Sequence, residues 1–271
     1  MSTWLRAESF AGRVGLVTGS AGGIGAAVCG ALVAAGCTVV GCDLASDDLA
    51  SDDLASDDLA SGIEPAGDIA RRIRTDVTVQ TDVDAAVEAS VEAFGGLDFV
   101  VGCAGVVLPG RLAEVTASSW RRSFAVNVDG MIHLARAAYP HLRRSPAPAA
   151  IAVASLSGLS AYPAGGGYGP SKAALISMAR QLAVEWGPDG IRVNVVVPGP
   201  TLTPMLRRAQ PVEYRAAQAR RAPLGRLADP GEIADAVVYL LSSGARAVTG
   251  QVLAVDCGLG QTLLAGPGAT S

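Results

Sequence analysis

Three side chains have the types and the spacing to manage a proton. Ser155, Tyr168 and Lys172 stand in the stretch S-L-S-G-L-S-A-Y-P-A-G-G-G-Y-G-P-S-K. Proline suits the first turn of a helix, and the apolar run A-A-L-I-S-M-A-R continues past Pro170. A helix beginning there places Tyr168 and Lys172, four apart, on one face. A free tyrosine titrates near pH ~10. An adjacent ammonium favours the phenolate and moves that value toward neutrality, where a general acid/base works best. Ser155, on the turn after the apolar strand A-I-A-V-A, offers a hydrogen-bonding hydroxyl. A tyrosine and a lysine four apart also occur on helices that do no chemistry, so the elements that present them decide the reading.

Those elements alternate. An apolar strand at 13–18 runs into Gly19-Ser-Ala-Gly-Gly23-Ile24-Gly25 and then an alanine-rich helix to about Ala35. Strand, glycine turn and helix in that order form a dinucleotide cradle: the glycines let backbone amides approach a pyrophosphate and the helix N-terminus adds partial positive charge. A second strand, 37–42, ends at Asp43, whose carboxylate can accept from the ribose hydroxyls and would repel a 2′-phosphate. No arginine or lysine lies between Thr18 and Asp43. The cofactor expected is therefore NAD (NADH) and not NADP. A third strand at 73–77 brings Asp76 and Val77 to the adenine end, a helix follows at 83–94, and a fourth strand at 97–101 closes on Gly102-Cys103-Ala104-Gly105. A long helix at 120–139 contains Asn127, which could equally be a satisfied core amide. Strands at 149–154, 191–197 and 252–255 and a helix at 230–241 complete the alternation. The fold class is α/β: one Rossmann-like, doubly wound, seven-stranded parallel sheet with helices on both faces, a single domain over 1–271 with its core at about 10–260.

Composition narrows the function classes. Half of the 271 residues are hydrophobic and aromatics are few, which suits close helix-on-sheet packing. The net charge of −4 owes its sign to three copies of Ala-Ser-Asp-Asp-Leu within 45–62; without their six aspartates it would be +2. That repeat reads as a solvated loop or frayed helix, because leucines spaced by five form no stripe. The arginines are scattered, so neither nucleic acid nor membrane is an expected partner. Five cysteines without a C-x-x-C pair read as reduced thiols, no metal is expected, and the charged start lacks the apolar core of a signal peptide, so the expected location is cytoplasmic.

Taken together, the motifs resemble those of the short-chain dehydrogenase/reductase family over about 10–260. The family's T-G-x-x-x-G-x-G is Thr18-Gly19-Ser-Ala-Gly-Gly23-Ile24-Gly25. Its helix asparagine is Asn127, its serine is Ser155, its Y-x-x-x-K is Tyr168 to Lys172, and its P-G motif is Pro198-Gly199, with Thr201 and Thr203 following. The resemblance implies an NAD(H)-dependent oxidoreductase that interconverts a secondary alcohol and a ketone. Tyr168 would exchange the proton, Lys172 would lower its pKa and hold the nicotinamide ribose, Ser155 would polarise the reacting oxygen, and Asn127 would support a water chain from Lys172 to solvent. Cofactor contacts are implied for Gly19, Gly23, Ile24, Gly25, Asp43, Asp76, Val77, Ala104, Gly105, Tyr168, Lys172, Pro198, Gly199, Thr201 and Thr203. The resemblance also implies a homo-oligomer, commonly a tetramer.

One departure is Gly102-Cys103 where the family has two asparagines, which implies a less rigid turn. The implied pocket, around 158–162, 165–167, 106–109 and the 200–226 segment, is mostly apolar or small and suits an alicyclic, steroid-like, polyketide-like or acyl small molecule. The arginines near 207 and 220 could meet an anionic substrate, with a solvated helix face as the stronger reading. Two other functions fit less well: a regulatory NAD-binding protein without turnover, and an epimerase or dehydratase that uses NAD transiently.

Overall fold

In the computed structural model, residues 10–44 and 69–264 are described. The acidic repeat at 45–62 lies outside them. Seven strands, β1 (Val14–Thr18), β2 (Thr38–Asp43), β3 (Arg71–Arg74), β4 (Phe99–Gly102), β5 (Ala149–Val153), β6 (Arg192–Pro198) and β7 (Val252–Val255), pair in parallel in the order β3-β2-β1-β4-β5-β6-β7. The central strands are buried on both faces. Every residue of β1 and β5 is buried, which is why they read as continuous apolar runs and not as an alternation.

Helices α1 (Gly23–Ala34) and α8 (Pro230–Leu241) cover one face, where Val28, Leu32, Phe99, Ile151, Ile233 and Leu240 are fully or almost fully buried. The other face is covered by α2 (Gln80–Phe94), α4 (Gly130–Leu142) and α5 (Tyr168–Trp186) around Leu16, Val100, Leu134 and Leu175. Burying a side chain of this size contributes about 1.5–3 kcal/mol. The chain steps from β1 outward to β3 and then returns to place β4 on the other side of β1. This reversal opens a crevice at the carboxyl ends of β1 and β4, the place where doubly wound sheets take ligands.

Three boundaries differ from the sequence reading. The third strand is 71–74, not 73–77, because the Asp76 carboxylate accepts from the Thr78 amide (2.9 Å) and hydroxyl (2.7 Å) and turns the chain away. Asp76 and Val77 therefore lie in the following loop. The helix expected at 120–139 runs from α3 (Ala117–Phe124) through a wide π turn at Ala125–Asp129 into α4, and Asn127 sits on that turn. The segment after β6 contains two helices, α6 (Pro204–Ala209) and α7 (Val212–Arg221). No helix among the described residues is long and apolar enough to cross a membrane.

Candidate active site

The carboxyl ends of β1, β4, β5 and β6 deliver the candidate residues to one edge of the sheet. The glycine turn leaves β1 with Gly19 in the left-handed region (φ 69°). A Cβ there would sit 2.7 Å from the Ala104 nitrogen, so the turns after β1 and β4 pass each other at backbone distance. Gly25, in the first turn of α1, faces the Gly19 carbonyl with no room for a methyl group. Beyond Gly22, a Cβ would meet nothing within 4 Å. Tight packing beneath and open space above are what a diphosphate at a helix N-terminus needs. Thr203, the N-cap of α6, closes over this turn: its methyl would lie 3.4 Å from a Cβ on Gly23. Pro198 ends β6, the Gly199 amide donates to the Val255 carbonyl (3.0 Å), and the Thr201 hydroxyl donates to the Gly199 carbonyl (3.0 Å). Ile24 packs partly buried on the α1/α8 core.

Asp43 ends β2 beside the glycine turn. Its carboxylate accepts from the Ala21 amide (2.9 Å) and from the Leu44 amide (2.8 Å), which fixes it with lone pairs to spare. Asp76 and Val77 are placed differently from the strand-end expectation. The Asp76 carboxylate is held below the usual range, chiefly by the Thr78 hydroxyl. Val77 is buried against α4, and its carbonyl is 2.9 Å from His133 Nδ1.

Tyr168 opens α5, and Lys172, 3% exposed, lies one turn on. The ammonium donates to the Val153 carbonyl (2.9 Å) and sits 5.9 Å from the centroid of the Tyr168 ring. Ser155 caps the short 3-10 turn Leu156–Gly158, accepting from the Ser157 amide (3.2 Å). The Gly105 backbone crosses beside them; a Cβ on it would stand 3.2 Å from Asn127 Oδ1 and 3.3 Å from Lys172 Nζ. The structure thus brings Ser155, Tyr168, Lys172, Asn127 and Gly105 to one edge of the sheet.

Two expectations need correcting. Tyr168 is not held toward neutrality: burial, the largest influence, pushes the phenol up, and hydrogen bonding from Ser155 pulls the other way. Spacing correctly put the ammonium on the same helix, 5.9 Å from the ring centroid, but burial decides the direction in which the phenol is shifted. Burial drives Lys172 itself down to about 8. The Asn127 amide, expected to support water, is taken up by protein. It accepts from the Val106 amide (2.8 Å) and donates to the Val106 carbonyl (3.1 Å) and to Ser171 Oγ (2.9 Å). It therefore ties the Gly105–Val106 loop to α5.

One residue was missed, and another, Tyr162, was expected only among the pocket residues. Ser171 is fully buried and donates to the Tyr168 carbonyl (2.7 Å), linking Asn127 to the tyrosine's backbone. The ring of Tyr162 meets that of Tyr168 edge-on at 6.5 Å. The signal for Ser171 was its place between Tyr168 and Lys172. A cavity of about 590 Å³ lies among the 157–166 turn, Gly110 to Leu112 and α5, next to Ala173. Its lining includes Leu112, Leu159 and Tyr162 but none of Ser155, Tyr168 or Lys172, so it adjoins the site from the neighbouring face of α5. After Thr18, the missing asparagines are replaced by backbone links: the Cys103 amide donates to the Thr18 carbonyl (3.2 Å) and the Ala104 amide reaches the Thr18 hydroxyl (3.4 Å).

The depressed Lys172 sets a pH dependence of folding. The unfolded lysine titrates near 10.5 and the folded one at about 8, so between those values the unfolded state holds the extra proton. Stability contributed by this residue therefore rises with pH across that window, by about 3 kcal/mol in all. The buried thiols Cys29, Cys37 and Cys42, pushed up to about 12, 12 and 11, act in the opposite sense. Urea unfolding of wild type and Lys172→Met from pH 7 to 10 separates the two: wild type gains on the variant as pH rises. A difference that stays flat or shrinks would remove the assignment.

A parallel sheet of this order, with its strand order reversing beside the glycine turn, defines a doubly wound α/β fold. A family model described as enoyl-(acyl carrier protein) reductase matches residues 19–260. The chain is 37% identical to the cis-4-hydroxycyclohexanecarboxylate dehydrogenase of Sinomonas cyclohexanicum, covering 93% of this chain and 98% of that one. A short-chain type dehydrogenase/reductase from Mycobacterium ulcerans superposes with a TM-score of 0.83 at 31% identity, covering 93% and 91%. A 3-ketoacyl-(acyl-carrier-protein) reductase from Brucella melitensis, solved with NADH, gives a TM-score of 0.79 at 29% identity, covering 92% and 99%. The chain belongs to the short-chain dehydrogenase/reductase family.

Proposed function

We propose that this protein is an NAD(H)-dependent dehydrogenase that interconverts an alicyclic secondary alcohol and its ketone. The convergence of Ser155, Tyr168 and Lys172 beside the glycine cradle carries the reading. The cradle fits a dinucleotide, held by Gly19, Gly23, Ile24 and Gly25 at the diphosphate, Asp43 at the adenosine ribose, and Lys172 with Ala104, Gly105, Pro198, Gly199, Thr201 and Thr203 toward the nicotinamide. A bound nicotinamide supplies the hydride acceptor or donor. Tyr168 exchanges the hydroxyl proton, Ser155 hydrogen-bonds the reacting oxygen, and Asn127 with Ser171 positions the loop and helix on which those groups stand. The small and apolar residues at 158–162 and the cyclohexane-ring substrate named for the Sinomonas relative favour a ring alcohol.

The test is reduction of NAD or NADP by purified protein against cyclic, steroidal and aliphatic secondary alcohols. Asp43 sets the expected preference. Its carboxylate, held by two amides, opposes a 2′-phosphate, because like charges at contact distance repel by about 1 kcal/mol in a water-like setting and about 4 kcal/mol near a protein surface. Asp43→Asn should therefore lower the ratio of NAD to NADP efficiency by about tenfold or more. Turnover with NADP alone in wild type would refute the role given to Asp43.

A further inference from the structure

The cavity beside α5 stops short of the proton-transfer groups, and one side chain stands at the division. Tyr162 lines the cavity, and its half-buried ring also meets the Tyr168 ring edge-on, with centroids 6.5 Å apart. Elsewhere the lining approaches the catalytic residues as backbone on backbone. A Cβ on Gly158 would lie 2.8 Å from the carbonyl carbon of Lys172 and 2.9 Å from the Ala173 nitrogen, and one on Gly169 would lie 2.9 Å from the Ser157 carbonyl oxygen. Those contacts leave no passage, so the Tyr162 ring is the part of the wall that a substitution can remove.

The ring is held where it stands. Gly165 is buried against it: a Cβ there would run into the ring, with Tyr162 Cε1 at 2.9 Å. The Gly165 amide donates to the Tyr162 carbonyl (3.2 Å), the Gly110 amide to the Ala164 carbonyl (2.8 Å) and the Gly166 amide to the Gly110 carbonyl (2.9 Å). Ala164, at φ 58°, is kept in the left-handed region that glycine adopts without strain, so these bonds over-determine the turn. A turn fixed in this way presents a wall and not a lid. The contacts that seat Tyr162 are those of its ring and its backbone, so bulk is what it contributes.

We infer that Tyr162 is a specificity-determining residue: its ring divides the cavity of about 590 Å³ from the Ser155, Tyr168 and Lys172 edge, so that a one-ring secondary alcohol is favoured over a fused two-ring one. Shortening the side chain joins the two spaces. The cavity then takes a second apolar ring against Leu112 and Leu159, which line it and are exposed. The inference deepens the dehydrogenase reading and rests on it for the identity of the carbinol.

The experiment has two arms. In the first, kcat/KM for NAD-linked oxidation of cyclohexanol and of decahydro-2-naphthol, its fused two-ring counterpart, is measured for wild type, Tyr162→Ala and Tyr162→Phe. Wild type should favour cyclohexanol. Tyr162→Ala should raise the ratio of two-ring to one-ring efficiency by about tenfold or more, the discrimination an apolar pocket makes over a single methylene, and the gain should fall on KM for the two-ring alcohol. Tyr162→Phe keeps the ring and should keep the wild-type ratio. Tyr162→Leu carries the same test with a smaller shift in the same direction should Tyr162→Ala not fold. Damage to the turn alone would lower both efficiencies together; an unmoved ratio overturns the partition. A wild-type preference for the two-ring alcohol, or a shift in Tyr162→Phe as large as that in Tyr162→Ala, overturns it as well.

In the second arm, calorimetry follows binding of cyclohexanone and of 2-decalone to the NAD-loaded protein, a complex that cannot react because the oxidised cofactor has no hydride to give. Tyr162→Ala should again gain about tenfold or more in relative affinity for the two-ring ketone. That gain without turnover of either alcohol by any form would keep the partition and sink the dehydrogenase reading. Turnover of cyclohexanol with neither the ratio nor the relative affinity moved would do the reverse, and binding of neither ketone to any form would overturn both.

Discussion

Tyr168→Phe should lower kcat by on the order of 10³, the contribution of a positioned general acid/base, while the affinity for NADH stays within about twofold. The substitution removes one oxygen from a half-buried ring whose edge-on contact with Tyr162 and place at the start of α5 do not depend on it. Fold and cofactor cradle are therefore left intact, and the loss is confined to proton exchange. Because burial pushes the phenol up, alcohol oxidation by wild type should gain kcat/KM as pH rises, with more of the enzyme in the phenolate form. Hydrogen bonding from Ser155 opposes that push, so Ser155→Ala should move the alkaline limb to still higher pH. Stopped-flow absorbance of NADH formation gives the rates, and fluorescence titration gives the affinity. Turnover within tenfold of wild type in Tyr168→Phe would remove the tyrosine from the chemistry.

The parts of this site that were legible in the sequence are those set by short-range spacing. Tyr168 and Lys172 meet because a helix repeats every 3.6 residues, and the glycine turn is recognisable because strand, turn and helix are contiguous. The central strands were visible as apolar runs because both faces of a parallel sheet are covered. β3 was placed late because it is an edge strand, R-R-I-R, largely exposed and without that signature.

What spacing cannot carry is the partner that arrives from far along the chain. The ammonium of Lys172 ends on the carbonyl of Val153, and the amide of Asn127 ends on Val106 and Ser171. Both pairings depend on how β5, α5 and the π turn pack, and solvation of the phenol depends on the same packing. The sequence therefore named the groups but misjudged the direction in which Tyr168 is shifted.

The cofactor cradle offers an independent test, because it is a matter of volume and not of protonation. Gly25→Ala should weaken dinucleotide binding by on the order of a hundredfold. A methyl at this position points into the carbonyl of Gly19, with the carbonyl carbon only 2.7 Å away and Ser20 Cα at 3.3 Å. These are backbone atoms, so no rotamer change relieves the clash; the turn itself must move. Gly19 is already in the left-handed region and backs onto Ala104, so the turn can move only outward, into the space beyond Gly22 that suits a diphosphate. A displacement of even 1 Å in a positioning element can cost about 10² in function. Overpacking should also lower stability by about 1–3 kcal/mol, which urea unfolding would register separately from the binding loss. Gly22→Ala serves as the contrast: its added methyl meets no protein atom within 4 Å, so stability should hold while binding falls only through contact with the ligand. If Gly25→Ala bound NADH as tightly as wild type, the turn would not be what holds the diphosphate, and the glycine spacing would reflect helix packing alone.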